Sequence, residues 1–561
     1  MFARVLSEVG KLDMGLHINH WSIKPDQDYV KISIQALHEL TSRAVVYFVW
    51  DWWETIPKRE DFLFEEGLIK LQNRFRLSAY AGPTVYALLR TAYNQVIPAF
   101  YLWEEGLMQY GFGRKLVRGV ATTFDGYSHI DSEFTTRKDD CKGFLHNLIF
   151  PIPEGEIVFS EQEAVEVARV IGYPVTVKPV VGHKGIGVTP PDVHNARELT
   201  SAYNRALMAI PEEQPTRIIV EKSIRGKDFR LLCVNGRFIA ATERCPASVT
   251  GHGHATIKDI KELIRRENPK PERWDTPTSP MGKIEIDEAL ERYIYEQGLM
   301  LDSIVESART LYLRKVANLS AGRVSIDATT IIHHDNIILA QDIAQYFRLT
   351  CLVIDVIAED ISKSWKAGNF AILQINSAPG ILMHLNPAMG ESVDVPAHIL
   401  STFFESGRDS RIPILTFNHI SVSELEATID HLLSQHPEST IGAVCREEIF
   451  VNRSEKLLTR DYNSNIQILL RNPKLDLLIP EYPEDILEED GLFYQGSNIF
   501  VLDNPSETEM MLVRDILDDS IVVINKEQDI SIRRQGLIED YTLGADEPFT
   551  RVYLKQISSI L

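Results

Sequence analysis

A chain of 561 residues, 44% apolar and 24% charged, has the composition of a globular protein and the length for about three or four domains. Its net charge of −21 and pI of about 5.3 weigh against a general binder of nucleic acid or of an anionic membrane, although local Lys/Arg clusters could still hold small phosphates. No apolar run reaches the ~18 residues of a membrane span, the start MFARVLSEVGKLDMG lacks a signal-peptide core, and five scattered cysteines without a C-x-x-C pair suggest neither a disulfide framework nor a zinc knuckle, so a reducing, cytoplasmic setting is expected.

Residues 1–127 are rich in aromatics, in YFVWDWWETI, AYAGPTVYALL and AFYLWEEGLMQYGFG. Helix-period patterns and short strands mix there, and clustered aromatics of this kind read as core, so the region is assigned no catalysis. From 128 to about 400 strands and helices alternate. Ser160-Glu-Gln-Glu163 reads as a capping box opening the amphipathic helix AVEVARVIGY. The strand PVTVK follows, then RIIVEKSI, and FRLLCV turns through Asn235-Gly236 into RFIAATE as a two-residue hairpin. The charged, proline-rich run 261–282 reads as a loop or flap. A second α/β segment opens near Arg411 with RIPIL and continues through LDLLIP and SIVVINK; no internal repeat is found.

Two stretches carry chemistry. VTVKPVVGHKGIGV, residues 175–188, is a strand bearing Lys178 that runs into Gly182, Gly185 and Gly187. Glycines so spaced let backbone N–H groups approach a phosphate, though a surface hairpin would look similar and neither G-x-x-x-x-G-K-[ST] nor G-x-G-x-x-G occurs. AILQINSAPG, residues 371–380, places Gln374 and Asn376 two apart, on one face of a strand, and Asp360 lies just before it in VIAEDIS. Hard oxygen ligands suit Mg²⁺, so Lys178, the glycine loop and this trio together suggest an Mg-nucleotide site.

Over roughly residues 109–400 the chain resembles the ATP-grasp ligases, and among them the cyanophycin synthetases. The likeness lies in collinear blocks: QYGFGRKLVRGVATT, YPVTVKPVVGHKGIGVT, VEKSIRGKDFRLLCVNGRFIAATERCPASVTGHG, YLRKVANLSAGRVSIDAT and QINSAPGILMHLNPAMGE. The resemblance implies that Lys138 and Lys178 meet ATP phosphates, that Gly182, Gly185 and Gly187 close over them, that Glu221 meets adenine and that Asp228 takes the ribose hydroxyls. It implies that Arg230, Arg244, Arg314 and Asn318 surround the transferred phosphoryl group and the substrate carboxylate, and that Asp360, Gln374 and Asn376 ligate the metal. Arg230 and Arg244 read also as ordinary hairpin charges. The sequence departs from the family in four places: Arg137 stands where Asp is usual, Gln374 where a Glu bridges two Mg²⁺ ions, and Ile186 and Leu382 where arginines are common.

The segment after Arg411 resembles the Mur-ligase-like half of the same family. That half has the loop T-G-T-N-G-K-T-T after RIPI; here RIPIL leads into TFNHISVSELE, which has neither glycine nor lysine, and the later outline ends before a final Mur subdomain. The expected architecture is therefore α/β and α+β multidomain: an N-terminal α/β domain over 1–127, an ATP-grasp fold over 128–404, and a degenerate, truncated Mur-ligase-like α/β domain over 405–561. The pattern resembles the shorter, second type of cyanophycin synthetase, which joins β-aspartyl-arginine dipeptides. That resemblance implies ATP and Mg²⁺ as cofactors, an acyl-phosphate intermediate, a small-molecule or peptide substrate, no nucleic-acid or membrane partner, and a homo-oligomer, dimer or tetramer. Two other readings stay open: another ATP-grasp ligase making a small peptide or modified metabolite, and a non-catalytic nucleotide-binding scaffold.

Overall fold

The computed structural model describes the chain apart from residues 13, 17, 19, 26–28, 78–82, 103–106, 181–192, 211–215, 252, 255–286, 314–323, 460, 515, 545–546 and 559. The run 261–282, expected as a loop or flap, lies outside the described residues. The chain forms two compact units, Met1–Thr91 with Gly119–Thr402, and Ala92–Arg118 with Phe403–Leu561. Among the described residues no helix is long and apolar enough to cross a membrane.

In the first unit the aromatic region is largely helical, with helices Phe2–Lys11, Glu39–Lys58, Phe64–Leu77 and Pro83–Asn94. Phe48 and Phe75 are core residues beside Leu6, Val9, Val45 and Val49, whereas Tyr47 and Trp50 face solvent. The aromatics are thus divided by helix face.

The centre of this unit is a five-stranded antiparallel sheet, in the order Val324–Asp327, Arg237–Cys245, Lys227–Val234, Cys351–Ala358, Phe370–Ser377. Its hairpin turn is the expected Asn235-Gly236, with φ of 48° and 73°, the pair of positive angles that such a turn demands. Alternation divides the sheet's faces. Phe229, Leu231, Cys233, Ile354, Val356 and Ile375 pack with Leu339, Ala340 and Ile343 of helix His334–Gln345 and with Cys141 and Leu145 of helix Lys138–Asn147. The intervening residues form the opposite face, polar at Asp228, Arg230, Thr242, Arg244 and Asp355 and apolar at Leu232 and Val353.

A smaller three-stranded sheet, in the order Gly155–Val158, Ile218–Lys222, Val175–Pro179, is covered by helices Glu161–Ile171 and Ala196–Met208 around Val175, Val177, Val220, Ala164 and Ala202. Ser160 caps the first helix by accepting from Glu163 N, as expected, while the Glu163 carboxylate accepts from Phe159 N, one residue before the position a capping box uses.

In the second unit parallel strands Leu415–Phe417, Ile499–Asp503 and Ile521–Lys526 continue into the antiparallel Asp529–Arg534 and Leu537–Thr542. A second sheet pairs Ile441–Val444 with Leu477–Pro480 in parallel, and isolated parallel bridges Ile414–Leu478 and Phe417–Glu481 join it to the first. RIPIL enters the sheet late because Pro413 has no N–H; its carbonyl accepts from Leu478 N, and the ladder proper starts at Leu415.

Candidate active site

The polar face of the five-stranded sheet carries a transverse row. Register pairs Asp327 with Thr242, Thr242 with Arg230, Arg230 with Asp355, and Asp355 with Gln374. Residues directly opposite in an antiparallel pair share a face, so the five side chains form one line across the sheet. A second, shorter row runs beside it, Ser325 with Arg244 and Arg244 with Asp228.

Asp355 is the centre of the row and is wholly buried. Arg230 grips it with a fork, Nε to Oδ1 at 2.9 Å and Nη2 to Oδ2 at 3.1 Å, and Arg244 Nη1 donates to Oδ2 at 3.3 Å. The side-chain amides of Gln374 and Asn376 donate to the same oxygen, at 2.8 and 3.0 Å. Burial alone would raise this carboxyl, but the two guanidinium groups outweigh it and hold it well below the usual range. Because both amide nitrogens are committed to Asp355, the amide oxygens of Gln374 and Asn376 are the atoms left to receive a cation. Two neutral oxygens are hard donors of the kind Mg²⁺ accepts, set beside a carboxylate already paired with two guanidinium groups. Among the described residues no group of three or more His, Cys, Asp or Glu is placed to hold a metal.

Gln374 and Asn376 therefore stand together as expected, but Asp360 does not join them. It lies past the end of the Cys351–Ala358 strand, half exposed, where its carboxylate accepts from Ser362 N and Oγ at 3.0 and 2.6 Å and lies 3.7 Å from Lys363 Nζ. Its strand does pair next to that of Gln374, but the residue opposite Gln374 is Asp355. The acid that the structure brings to Gln374 and Asn376 is accordingly Asp355 and not the expected Asp360. Sequence reading missed Asp355 because it sits inside the apolar run CLVIDVIA, where its same-face neighbours Val353 and Ile357 are apolar too and no local signal marks it.

On the smaller sheet, Lys178 Nζ donates to Glu221 Oε1 at 2.6 Å, and Lys142 of helix Lys138–Asn147 bonds the other oxygen. Burial would raise the Glu221 carboxyl, but Lys178 and Lys142 outweigh it and hold it below the usual range. Lys142 is pushed down to about 8 by burial and by the charge of Lys178, against the opposing pull of Glu221. Lys138, at the start of the same helix, is lowered by burial and again by Lys178. Two lysines thus meet one carboxylate, with Lys138 near enough to feel the charge of Lys178, an arrangement with surplus positive charge suited to a polyphosphate. Lys142 was not anticipated; it lies one helical turn after Lys138 and so shares its face. The same helix also pairs Asp139 with Arg217 and packs Cys141 and Leu145 into the core of the large sheet, so it bridges the two sheets.

The other expected residues are placed as follows. Glu221 is engaged by the two lysines, and Asp228 receives Arg244 Nε at 3.0 Å. Arg230 and Arg244 both converge on Asp355. Gly182, Gly185, Gly187, Arg314 and Asn318 lie outside the described residues.

Residues 138–230 match the family described as carbamoyl-phosphate synthase L chain, ATP binding domain. The match and the two-sheet architecture define an ATP-grasp fold, with an additional α/β unit. Cyanophycin synthetase from Synechocystis sp. is 32% identical over 431 residues, 75% of this chain and 48% of that protein. The enzyme of the same name from Geminocystis herdmanii is 29% identical over 489 residues, 86% of this chain and 54% of that protein. The chain is thus similar to cyanophycin synthetases over three quarters or more of its own length. The chain spans about half the length of the curated relatives it matches. Among solved structures, a bifunctional glutathione synthetase from Pasteurella multocida aligns at 22% identity with a TM-score of 0.47, covering 61% of this chain and 46% of that one.

Proposed function

We propose that the protein is an ATP-dependent carboxylate–amine ligase that releases ADP and forms an amide through an acyl phosphate, most specifically one that joins β-aspartyl-arginine dipeptides. The observation that carries this reading is the pairing of two sites in one unit: Lys142 and Lys178 on Glu221 at the small sheet, and the Arg230–Asp355–Gln374 row on the large one.

In this reading Lys138, Lys142 and Lys178 hold the phosphates of ATP. Arg230 and Arg244 face the carboxylate and the charge that develops on the transferred phosphoryl group, where planar guanidinium forks suit both partners. Gln374 and Asn376 would hold Mg²⁺ through their amide oxygens, with Asp355 supplying the negative charge; the ion neutralises phosphate charge when bound. The carboxylate oxygen takes the γ-phosphoryl group and ADP leaves. The amine then attacks the acyl carbon, phosphate departs with the C–O bonding pair, and the amine gives up a proton. Holding acyl phosphate and amine together supplies much of the rate. Glu221 and Asp228 keep their roles toward adenine and ribose, and Arg314, Asn318 and the loop bearing Gly182, Gly185 and Gly187 complete the site. The proposed division is an N-terminal domain over 1–127, an ATP-grasp domain over 128–404 and a degenerate Mur-like domain over 405–561, in a cytoplasmic homo-oligomer.

The neutral Gln374 favours a second reading, a nucleotide-binding scaffold without turnover. One experiment decides between them: ADP release with β-aspartyl-arginine, aspartate, arginine and other amino acids, with product masses read afterwards. Amide products with stoichiometric ADP support the ligase. Release of AMP, or silence with every pair while ATP still binds, overturns it.

A further inference from the structure

His384 lies in the short helix Leu382–Leu385, which packs on the Arg237–Cys245 strand, and its ring is 2% exposed. Its Nδ1 is 2.9 Å from Thr242 Oγ1, while its Nε2 is buried without a hydrogen-bond partner. Thr242 is a member of the transverse row, paired with Arg230 on one side and Asp327 on the other. Ser325, opposite Arg244 in the neighbouring row, likewise carries a buried hydroxyl without a partner. Buried polar atoms are nearly always hydrogen-bonded, so two exceptions beside one pair of arginines call for an explanation.

The charged groups that act on His384 are Arg230 and Asp327. Burial and the Arg230 charge together carry the imidazole down to about 3, against a smaller opposing effect of Asp327, so the ring is neutral at physiological pH and is no base for an amine. A neutral ring has a single N–H. When the Thr242 hydroxyl donates to Nδ1, that proton sits on Nε2. A donor within the field of Arg230 suits an anionic oxygen and disfavours an ammonium group.

We propose that His384 is a substrate-binding residue, its Nδ1 accepting from the Thr242 hydroxyl so that Nε2–H donates to an oxygen of the carboxylate, or of the acyl phosphate made from it. This rests on the ligase reading and adds a neutral donor to the two arginines at the acyl end of the site. Such a donor strengthens its bond as charge builds on that oxygen without adding a further cation to be desolvated.

The test measures ADP release with ATP, saturating hydroxylamine as the amine and β-aspartyl-arginine dipeptide as the titrated carboxylate, alongside calorimetric ATP affinity. His384→Ala is expected to raise KM for the dipeptide about tenfold or more, the loss of one hydrogen bond to a charged group, with ATP affinity unchanged. His384→Gln places an amide nitrogen near the Nε2 position and restores most of the loss. His384→Asn imitates Nδ1, keeps the Thr242 contact and does not restore it. Gln and Asn equally impaired, or all three variants at wild-type KM and kcat, would overturn the assignment, and the Gln–Asn contrast decides even where the Ala variant does not fold. A wild type that binds ATP but releases no ADP with any carboxylate overturns the ligase reading and this inference with it.

Discussion

Lys142 and Gln374 are the two residues whose surroundings dictate measurable behaviour. Lys142 shares Glu221 with Lys178, has Lys138 one turn away, and titrates at about 8 rather than near the ordinary lysine value of about 10.4. If its charge is part of the phosphate site, kcat/KM for ATP falls as pH rises through about 8, the free-enzyme value. Lys142→Arg, which does not titrate there, should abolish that falling limb; an unchanged limb in this variant would remove Lys142 from the site. In stability the sign is opposite: the folded state releases this proton more readily than the unfolded chain, so the Lys142 contribution rises with pH between about 8 and 10.4. Gln374→Glu replaces an amide that donates to Asp355 at 2.8 Å with a second carboxylate beside the first. Without a divalent cation the two repel, so the variant should melt below the wild type in chelator and gain more than the wild type from Mg²⁺. Equal Mg²⁺ responses would show that no cation binds between these strands. At this scale the sequence was partly legible. Lys178, Gln374 and Asn376 could be found from spacing and flanking glycines, but Asp355 could not, because a carboxylate within an apolar strand is identified only by the partners that neutralise it.

Elements set how closely these residues approach. Gly155 lies opposite Glu221 in the small sheet, and a Cβ added there would stand 2.6 Å from Glu221 Cβ and 2.7 Å from Val220 O. Neither atom is the far end of a flexible side chain, so Gly155→Ala must displace the Ile218–Lys222 strand, and with it the carboxylate between Lys142 and Lys178. The expected result is a loss of about 1–3 kcal/mol in denaturant unfolding, together with weaker ATP binding. Wild-type affinity at reduced stability would show that the strand moves without carrying Glu221. Element types were readable where local chemistry was strong: the Ser160 cap, the Asn235-Gly236 turn, and the apolar runs that became strands Leu477–Pro480 and Ile521–Lys526. Which strands become neighbours was not readable. Val324–Asp327 joins the sheet edge from some eighty residues beyond its partner strand, and sequence period carries no information about such long-range pairing.

At the scale of the whole molecule, the two units make opposite electrostatic offers to a nucleotide. The first brings Lys142 and Lys178 to one carboxylate, with Lys138 on the same helix face as Lys142. In the second, the chain leaves strand Leu415–Phe417 through Asn418, His419 and Ile420 into helix Val422–Gln435, the place where the resembling family carries its glycine-rich phosphate loop. A phosphate loop works by leaving N–H groups at the helix start open to an anion. Here Ser421 Oγ accepts from Glu424 N at 3.3 Å, and the Glu424 carboxylate accepts from Ser421 N at 3.1 Å, so a complete capping box already occupies that helix start. The cavity beside it, about 290 Å³, is lined by Glu424, Glu481 and Asp503 as well as His419. Its polar wall is thus mainly acidic, and His419 Nε2 is already 2.9 Å from Glu509 Oε1. A triphosphate entering there would face carboxylates at a helix start whose Ser421 and Glu424 N–H groups are already taken. ATP should therefore bind with a stoichiometry of one per chain, and Lys178→Ala should remove that binding while the protein stays folded by circular dichroism. His419→Ala should leave ATP affinity unchanged. Two equivalents in a calorimetric titration, or one equivalent surviving in a folded Lys178→Ala variant, would mean that the second unit binds nucleotide by a route other than the helix start.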